Sequence, residues 1–162
     1  AEGTPYRGVL YVGLMLTDIG PQVIEFNCRL GDPEAQVILP RLRSDIVAAM
    51  LGTIEGSLGH LSLRWDSGAA VTVVMATNGY PGAYEKGSII GGTKSAIASD
   101  DVILFHAGTT IDPDGTVRAA GGRVLAVTGL GADVAAARAA AYDAVTAIDW
   151  PGGFYRSDIA AG

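Results

Sequence analysis

Residues 9–27 read VLYVGLMLTDIGPQVIEFN. From Val9 to Thr17 both alternating faces are apolar, with Val9, Tyr11, Gly13 and Met15 on one and Leu10, Val12, Leu14 and Leu16 on the other. That pattern predicts a strand buried on both sides. Thr17, Asp18, Ile19, Gly20 and Pro21 carry turn chemistry, and an extended pattern resumes over Gln22 to Asn27. The spacing predicts a β-hairpin.

Beyond it, Asp32, Pro33 and Glu34 read as a helix start, with an N-cap acceptor, a proline at the first helical position and an acid favoured by the dipole. Pro40 interrupts that helix. Ser44 can cap a second one, in which Ile46, Val47, Met50, Leu51 and Ile54 keep helical spacing as far as Gly56. A loop over 56–68 holds one apolar pulse near Leu61 to Trp65, and composition changes after it, placing a lobe boundary near Ser67. Ala70–Ala76, Val102–Thr109 and Arg123–Leu130 are β-rich runs, and Asp112-Pro113-Asp114-Gly115 is a turn between two of them. Asp133–Ile148 is an alanine-rich helix whose Val134, Ala137, Ala141, Val145 and Ile148 share one face. The expected class is α+β.

A chain of 162 residues with 49% hydrophobic and 17% charged residues can bury a core and is not disordered. Glycine, at 23 residues, is about twice its usual share, which implies many tight turns or close backbone approaches. The one cysteine, Cys28, excludes an internal disulfide and favours a reducing, cytoplasmic setting. Flanked by Phe26 and Leu30, it reads as a small core residue. No apolar run approaches the ~20 residues of a membrane span, and no signal peptide is visible. A net charge of -6 with scattered basic residues argues against nucleic acid as a partner.

On the strand Gln22–Asn27, alternation puts Glu25 and Asn27 side by side, with Arg29 just beyond. A carboxylate and an amide oxygen suit Mg²⁺, which takes few protein ligands and completes its shell with water and phosphate. From spacing alone, a solvated strand face remains an alternative. His106 shares a face with Leu104 and reads as a packing histidine, His60 as exposed, and Lys86, in a glycine-rich turn, as solvated, with contact to a substrate anion as the alternative.

The string Glu25-Phe26-Asn27-Cys28-Arg29-Leu30-Gly31-Asp32-Pro33-Glu34, preceded by Gly8-Val9-Leu10-Tyr11-Val12-Gly13-Leu14-Met15, resembles the last part of the ATP-grasp domain in the phosphoribosylamine-glycine ligase (glycinamide ribonucleotide synthetase) family. The resemblance continues through Gly79-Tyr80-Pro81-Gly82, Tyr84-Glu85-Lys86-Gly87, Phe105-His106-Ala107-Gly108-Thr109 and Gly121-Gly122-Arg123-Val124. It implies residues 1–66 as the end of an ATP-grasp domain and 67–162 as a small mixed-sheet C-terminal domain with a packed helix. It also implies ligation of glycine to 5-phosphoribosylamine in purine biosynthesis, with ATP cleaved to ADP and phosphate through glycyl phosphate.

By that resemblance Glu25 and Asn27 are metal ligands for Mg²⁺ or Mn²⁺, and Arg29 is a catalytic cation near the acyl phosphate. Arg123 holds the substrate phosphate, while Asp32 and Glu34 could orient the substrate amine, although a helix cap accounts for Asp32 as well. Many relatives place another acidic ligand on the preceding strand, where this chain has Val12 and Gly13. The amino-terminal lobes, with most of the nucleotide grip, would precede residue 1, so the expectation is a carboxy-terminal fragment inactive alone. A non-catalytic ligand-binding or assembly module of the same fold is the competing expectation. An ATP-grasp carboxylase is disfavoured by Gly79-Tyr80-Pro81-Gly82.

Overall fold

Only Asp18 and Ile19 separate the two strands of the amino-terminal hairpin in the computed structural model, which describes residues 3–161. β1 (Tyr11–Thr17) and β2 (Gly20–Asn27) run antiparallel, from Tyr11 opposite Asn27 to Thr17 opposite Gly20, with a bulge at Gly13/Leu14. Gly20 has φ 102°, a left-handed value that side chains resist, and Thr17 Oγ1 donates to Gly20 O at 2.7 Å. The hairpin is as expected, but its burial is not. Within β1 only Gly13 is buried, while Leu14, Met15 and Leu16 and, on β2, Val23, Ile24 and Phe26 are exposed. A two-stranded ribbon with no layer over it among the described residues leaves apolar alternation uncovered. Cys28 is exposed for the same reason: it sits in the bend after β2, beside a Phe26 that is itself 62% exposed.

Asp32, Pro33 and Glu34 form a turn instead of the opening of a helix. Ala35 N donates across it to Gly31 O at 3.0 Å, and α1 (Ala35–Arg41) starts only there. Pro40 lies inside α1, which ends one residue later. The next cap is Asp45, not Ser44: Asp45 Oδ1 accepts from Val47 N at 2.8 Å, whereas Ser44 Oγ is taken by Arg64 N, also at 2.8 Å. α2 (Ile46–Glu55) closes at Gly56 with φ 76°, the usual left-handed helix end. A 3-10 turn over Leu58–His60 and a bridge between Leu42 and Trp65 order the loop that follows.

The chain divides into two compact units. One runs to Ala35 and resumes over Leu42–Asp66; the other comprises Gln36–Arg41 and the chain from Ser67 onward. The second contains β3 (Ala69–Thr77), β4 (Ile89–Ile90), α3 (Thr93–Ala96), β5 (Val102–His106), β6 (Thr109–Ile111), β7 (Val117–Ala119), β8 (Arg123–Gly131), α4 (Val134–Ala147) and β9 (Gly153–Tyr155). Its larger sheet has the order β5-β8-β3-β9, and a smaller one the order β4-β7-β6. Every strand pair is antiparallel and the helices lie outside the ladders, so the class is α+β.

The expected run Val102–Thr109 splits into β5 and β6 because the backbone crosses another at Gly108. Gly108 N donates to Arg123 O at 3.1 Å, Ala120 N donates to Gly108 O at 2.7 Å, and a Cβ on Gly108 would meet Gly121 Cα at 2.7 Å. His106, at the end of β5, is exposed instead of packed, its Nδ1 3.1 Å from Thr109 Oγ1. The turn at Asp112–Gly115 joins β6 to β7, with Gly115 N donating to Asp112 O at 2.9 Å. Hydrogen bonds from Thr116 hold the Asp114 carboxyl below the usual carboxylate range.

β8 is the centre of this unit: Val124, Leu125 and Val127 are all but sealed from solvent, and β5 and β3 flank it. α4, capped by Asp133 Oδ1 accepting from Ala136 N at 2.8 Å, buries Ala137, Ala141, Ala144 and Val145. Val134 is exposed, contrary to its place on the apolar stripe, because helix and strand first meet one turn later, where Gly131 lies against Ala136 and Ala137. Thr128, buried on β8, donates to Gln36 O at 3.0 Å and lies 2.9 Å from Thr72 Oγ1, so its hydroxyl is satisfied. The carboxy-terminal segment is tied to α4. Arg138 donates to Ile159 O and Ser157 O, each at 2.9 Å, Tyr142 Oη to Arg156 O at 2.6 Å, and the Arg138 guanidinium lies over the Tyr142 ring.

The contact between α4 and β8 leaves no space for a side chain at Gly129, where a Cβ would stand 2.2 Å from Ala137 O and 2.4 Å from Ala141 N. Both are backbone atoms of a regular helix and cannot yield individually. Gly129→Ala is therefore expected to cost about 1–3 kcal/mol by overpacking, a fall of roughly 2–12 °C in the thermal midpoint. Differential scanning calorimetry measures this, and an unchanged midpoint would overturn the packing argument.

Candidate functional site

Paired residues of an antiparallel ladder share a face of the sheet. Tyr11 opposite Asn27 and Gly13 opposite Glu25 therefore put the tyrosine, the amide and the carboxylate on one side of the hairpin. The amide and the carboxylate form a connected line with Arg29. Arg29 Nη2 donates to Asn27 Oδ1 at 3.2 Å, Asn27 Nδ2 donates to Glu25 Oε1 at 2.9 Å, and Arg29 Nη1 donates to Leu30 O at 2.9 Å. Glu25 and Arg29 are exposed and Asn27 is half-buried, so the line faces solvent along its length.

Gly13 makes room for it. A Cβ there would stand 3.2 Å from Glu25 Cγ, so a side chain on this position of β1 would press the carboxylate aside.

Glu34 joins the cluster from the turn that follows. Half-buried, it accepts from Tyr11 Oη at 3.3 Å and folds back over Gly31, where a Cβ would collide with its carboxylate. The negative charge of Glu34 foremost, then loss of solvent, the hydrogen bond and the charge of Glu25 hold the Tyr11 phenol above its ordinary pKa. Asp32 lies exposed in the same turn. Tyr11 is the member that reading along one strand misses. Its signal is the register of the hairpin, since only pairing across strands brings it opposite Asn27.

The donor set suits a hard divalent cation: a carboxylate and an amide oxygen two residues apart, open to water on the outer side. The amide now offers nitrogen to Glu25 and oxygen to Arg29; rotation about its broad terminal torsion exchanges the two. Among the described residues no group of three or more His, Cys, Asp or Glu is arranged to hold a metal, so water and phosphate would complete such a shell.

In the second unit Arg123 is exposed at the first position of β8, opposite Ala76. The two preceding glycines are tightly placed. Thr77 N donates to Gly122 O at 2.8 Å, Thr77 Oγ1 donates to Gly121 O at 2.7 Å, and the Tyr80 ring lies where a Cβ of Gly122 would be. The backbone that carries Arg123 is thus pinned from both sides of the turn.

A family model described as phosphoribosylglycinamide synthetase, C domain, matches residues 70–162, and one described as the ATP-grasp (A) domain of the same synthetase matches residues 1–35. A phosphoribosylamine-glycine ligase of Mesorhizobium japonicum is 52% identical over 157 residues, covering 97% of this chain and 36% of the relative. The chloroplastic phosphoribosylamine-glycine ligase of Arabidopsis thaliana is 51% identical over 161 residues, covering 98% of this chain and 30% of the relative. A crystal structure of phosphoribosylamine-glycine ligase from Thermotoga maritima superposes with a TM-score of 0.78 at 40% identity, over 98% of this chain and 38% of that one. The chain thus spans about a third of the length of the curated relatives it matches. No helix among the described residues is long and apolar enough to cross a membrane.

The Tyr11–Glu34 contact gives the cluster a titration signature. Glu34→Gln removes the nearest negative charge, so the Tyr11 phenol should move down toward its ordinary value of about 10, and Glu25→Gln should move it less. Phenolate absorbance followed against pH, with Tyr11→Phe identifying the residue, measures the shift. A phenol that does not respond to Glu34→Gln would separate the two side chains.

Proposed function

The chain belongs to the phosphoribosylglycinamide synthetase family, and from that premise we propose that it supplies part of an ATP-dependent ligase. The ligase joins glycine to 5-phosphoribosylamine to give glycinamide ribonucleotide, ADP and phosphate. Glycine's carboxylate takes the terminal phosphoryl group of ATP, the amine of phosphoribosylamine attacks the resulting acyl carbon, and phosphate leaves. The carrying observation is the Arg29-Asn27-Glu25 line on the open face of β2.

Glu25 and Asn27 would hold the divalent cation, Mg²⁺ or Mn²⁺. When bound, the cation supplies neutralisation of charge on the transferred phosphoryl group. Arg29, already directed at Asn27, places a guanidinium beside the same region, where the acyl phosphate needs a cation as its charge develops. Glu34, with Tyr11 holding its carboxylate, and Asp32 in the same turn offer acceptors for the substrate amine. Arg123 would take the 5-phosphate of the sugar, a task for which a planar guanidinium with several donors is suited. Purine synthesis by a water-soluble enzyme in the cytoplasm is the corresponding setting, although the Arabidopsis relative is described as chloroplastic.

In the complete enzyme containing this chain, Glu25→Gln keeps the shape of the side chain and removes the charge. Turnover should fall by at least the about 10- to 100-fold that follows loss of even an outer metal partner, with partial recovery at high magnesium. Near-normal turnover at limiting magnesium would take Glu25 out of the metal site. Arg123→Ala should raise the Michaelis constant for phosphoribosylamine about ten- to hundredfold and leave those for ATP and glycine nearly unchanged. A rise for ATP would assign the arginine to the nucleotide instead.

A further inference from the structure

Pro40 has no N–H, so the carbonyl of Gln36, four residues before it in α1, cannot take its helical bond from that position. The donor comes from β8 instead: Thr128 Oγ1 donates to Gln36 O at 3.0 Å. Thr128 is fully buried and faces away from α4, since its neighbour Gly129 is the residue that meets that helix. Its cross-strand partner Thr72 lies 2.9 Å away, hydroxyl to hydroxyl. A hydroxyl has one proton and also accepts, so with the Thr128 proton on Gln36 O, Thr72 can donate to Thr128. The three groups form a relay of bonds that ends on α1.

Hydroxyls inside a sheet are costly unless bonded, and a valine would fill either position on strand preference and packing alone. What Thr128 finds there is the carbonyl of α1 that Pro40 cannot serve. With seven residues, α1 is well below the ~12–15 at which an isolated helix begins to hold itself, so its place depends on such contacts. The chain passes from the first unit to the second between Ala35 and Gln36. The turn over 31–35, closed by Ala35 N donating to Gly31 O at 3.0 Å, runs directly into the anchored residue. Asp32 and Glu34 lie in that turn.

We infer that Thr128 is a positioning residue of the ligase: by serving the carbonyl that Pro40 cannot, it anchors the start of α1 to β8 and so fixes where Asp32 and Glu34 present their carboxylates. The inference rests on the reading of that turn as the acceptor of the substrate amine. It extends that reading to a side chain 92 residues further along the chain, sealed in the sheet and out of reach of any ligand. Glycine is activated by ATP before the amine attacks, so the constants for ATP and glycine report on steps that the turn does not enter.

The test uses the complete enzyme carrying Thr128→Val, Thr128→Ser, or Thr128→Val together with Pro40→Ala, with Glu34→Gln as the reference. Amide hydrogen exchange over α1 reads the anchor, and kcat/KM for phosphoribosylamine reads its effect. Thr128→Val is expected to speed that exchange about tenfold, in line with the loss of one hydrogen bond. It should lower kcat/KM for phosphoribosylamine about three- to thirtyfold, with the constants for ATP and glycine within about twofold. Thr128→Ser keeps the hydroxyl and should stay close to the parent. Pro40→Ala supplies an N–H to Gln36 O from within the helix, so the double variant should regain most of both losses. Unchanged exchange in Thr128→Val, or faster exchange that Pro40→Ala does not slow, would overturn the inference, as would equal losses for all three substrates. If Glu34→Gln lowers kcat/KM for phosphoribosylamine and Thr128→Val leaves it intact, the positioning role falls while the reading of the turn stands. If Glu34→Gln leaves it intact, the reading of the turn falls and the inference with it.

Discussion

Helix α4 rests on strand β8 backbone to backbone, and the second unit is built around that approach. Gly129 and Gly131 remove two side chains from the strand, while Ala137 and Ala141 reduce the helix to its own main chain at the same height. Close approach of two backbones yields dense dispersion contact and admits no compromise in spacing. With β8 held between β3, β5 and α4, its first residue is held too. Arg123 owes its position to a helix that starts eleven residues after it, and to the Gly108–Gly121 crossing beside it.

The amino-terminal unit follows a different principle. Its hairpin has little core, and what order it has comes from ladder bonds and from one polar face. There the charges are interleaved: guanidinium to amide to carboxylate on β2, then phenol to carboxylate across to the turn at Glu34. One oxygen of each carboxylate, Glu25 Oε1 and Glu34 Oε1, is met by a donor that can leave, since both partners are side chains at or near the surface. A site whose groups satisfy one another when empty and exchange those bonds for a ligand avoids both unpaired charge and a large rearrangement.

Most of this was legible in the chain, and the failures have physical causes. Alternation over Val9–Thr17 identified a strand and Gly20-Pro21 its turn. Yet apolar alternation records which faces can be covered and is silent on what covers them, so the burial of Leu14 and Met15 was misjudged. Ser44 and Asp45 are adjacent and chemically equivalent as caps; a contact with Arg64, twenty residues away, decides between them. The split at Gly108 depends on Gly121, and the exposure of Val134 on where a strand beneath it ends. In the site, period two sufficed to bring Glu25, Asn27 and Arg29 together. Tyr11 required the cross-strand register, which a local pattern does not contain.

The strand order also bears on how the chain is made. β3 pairs with β8 and β9 and with nothing nearer in sequence, so Val73 waits for Val127. At translation rates of about 5–20 residues per second, those fifty-odd residues take roughly three to ten seconds to emerge. Throughout that interval Val71, Val73 and Met75 have been synthesised and have no partner strand. Because the ladder cannot close until β8 is out, and the sheet has no cover until α4 follows, the nascent unit is at its most vulnerable just before its last helix appears.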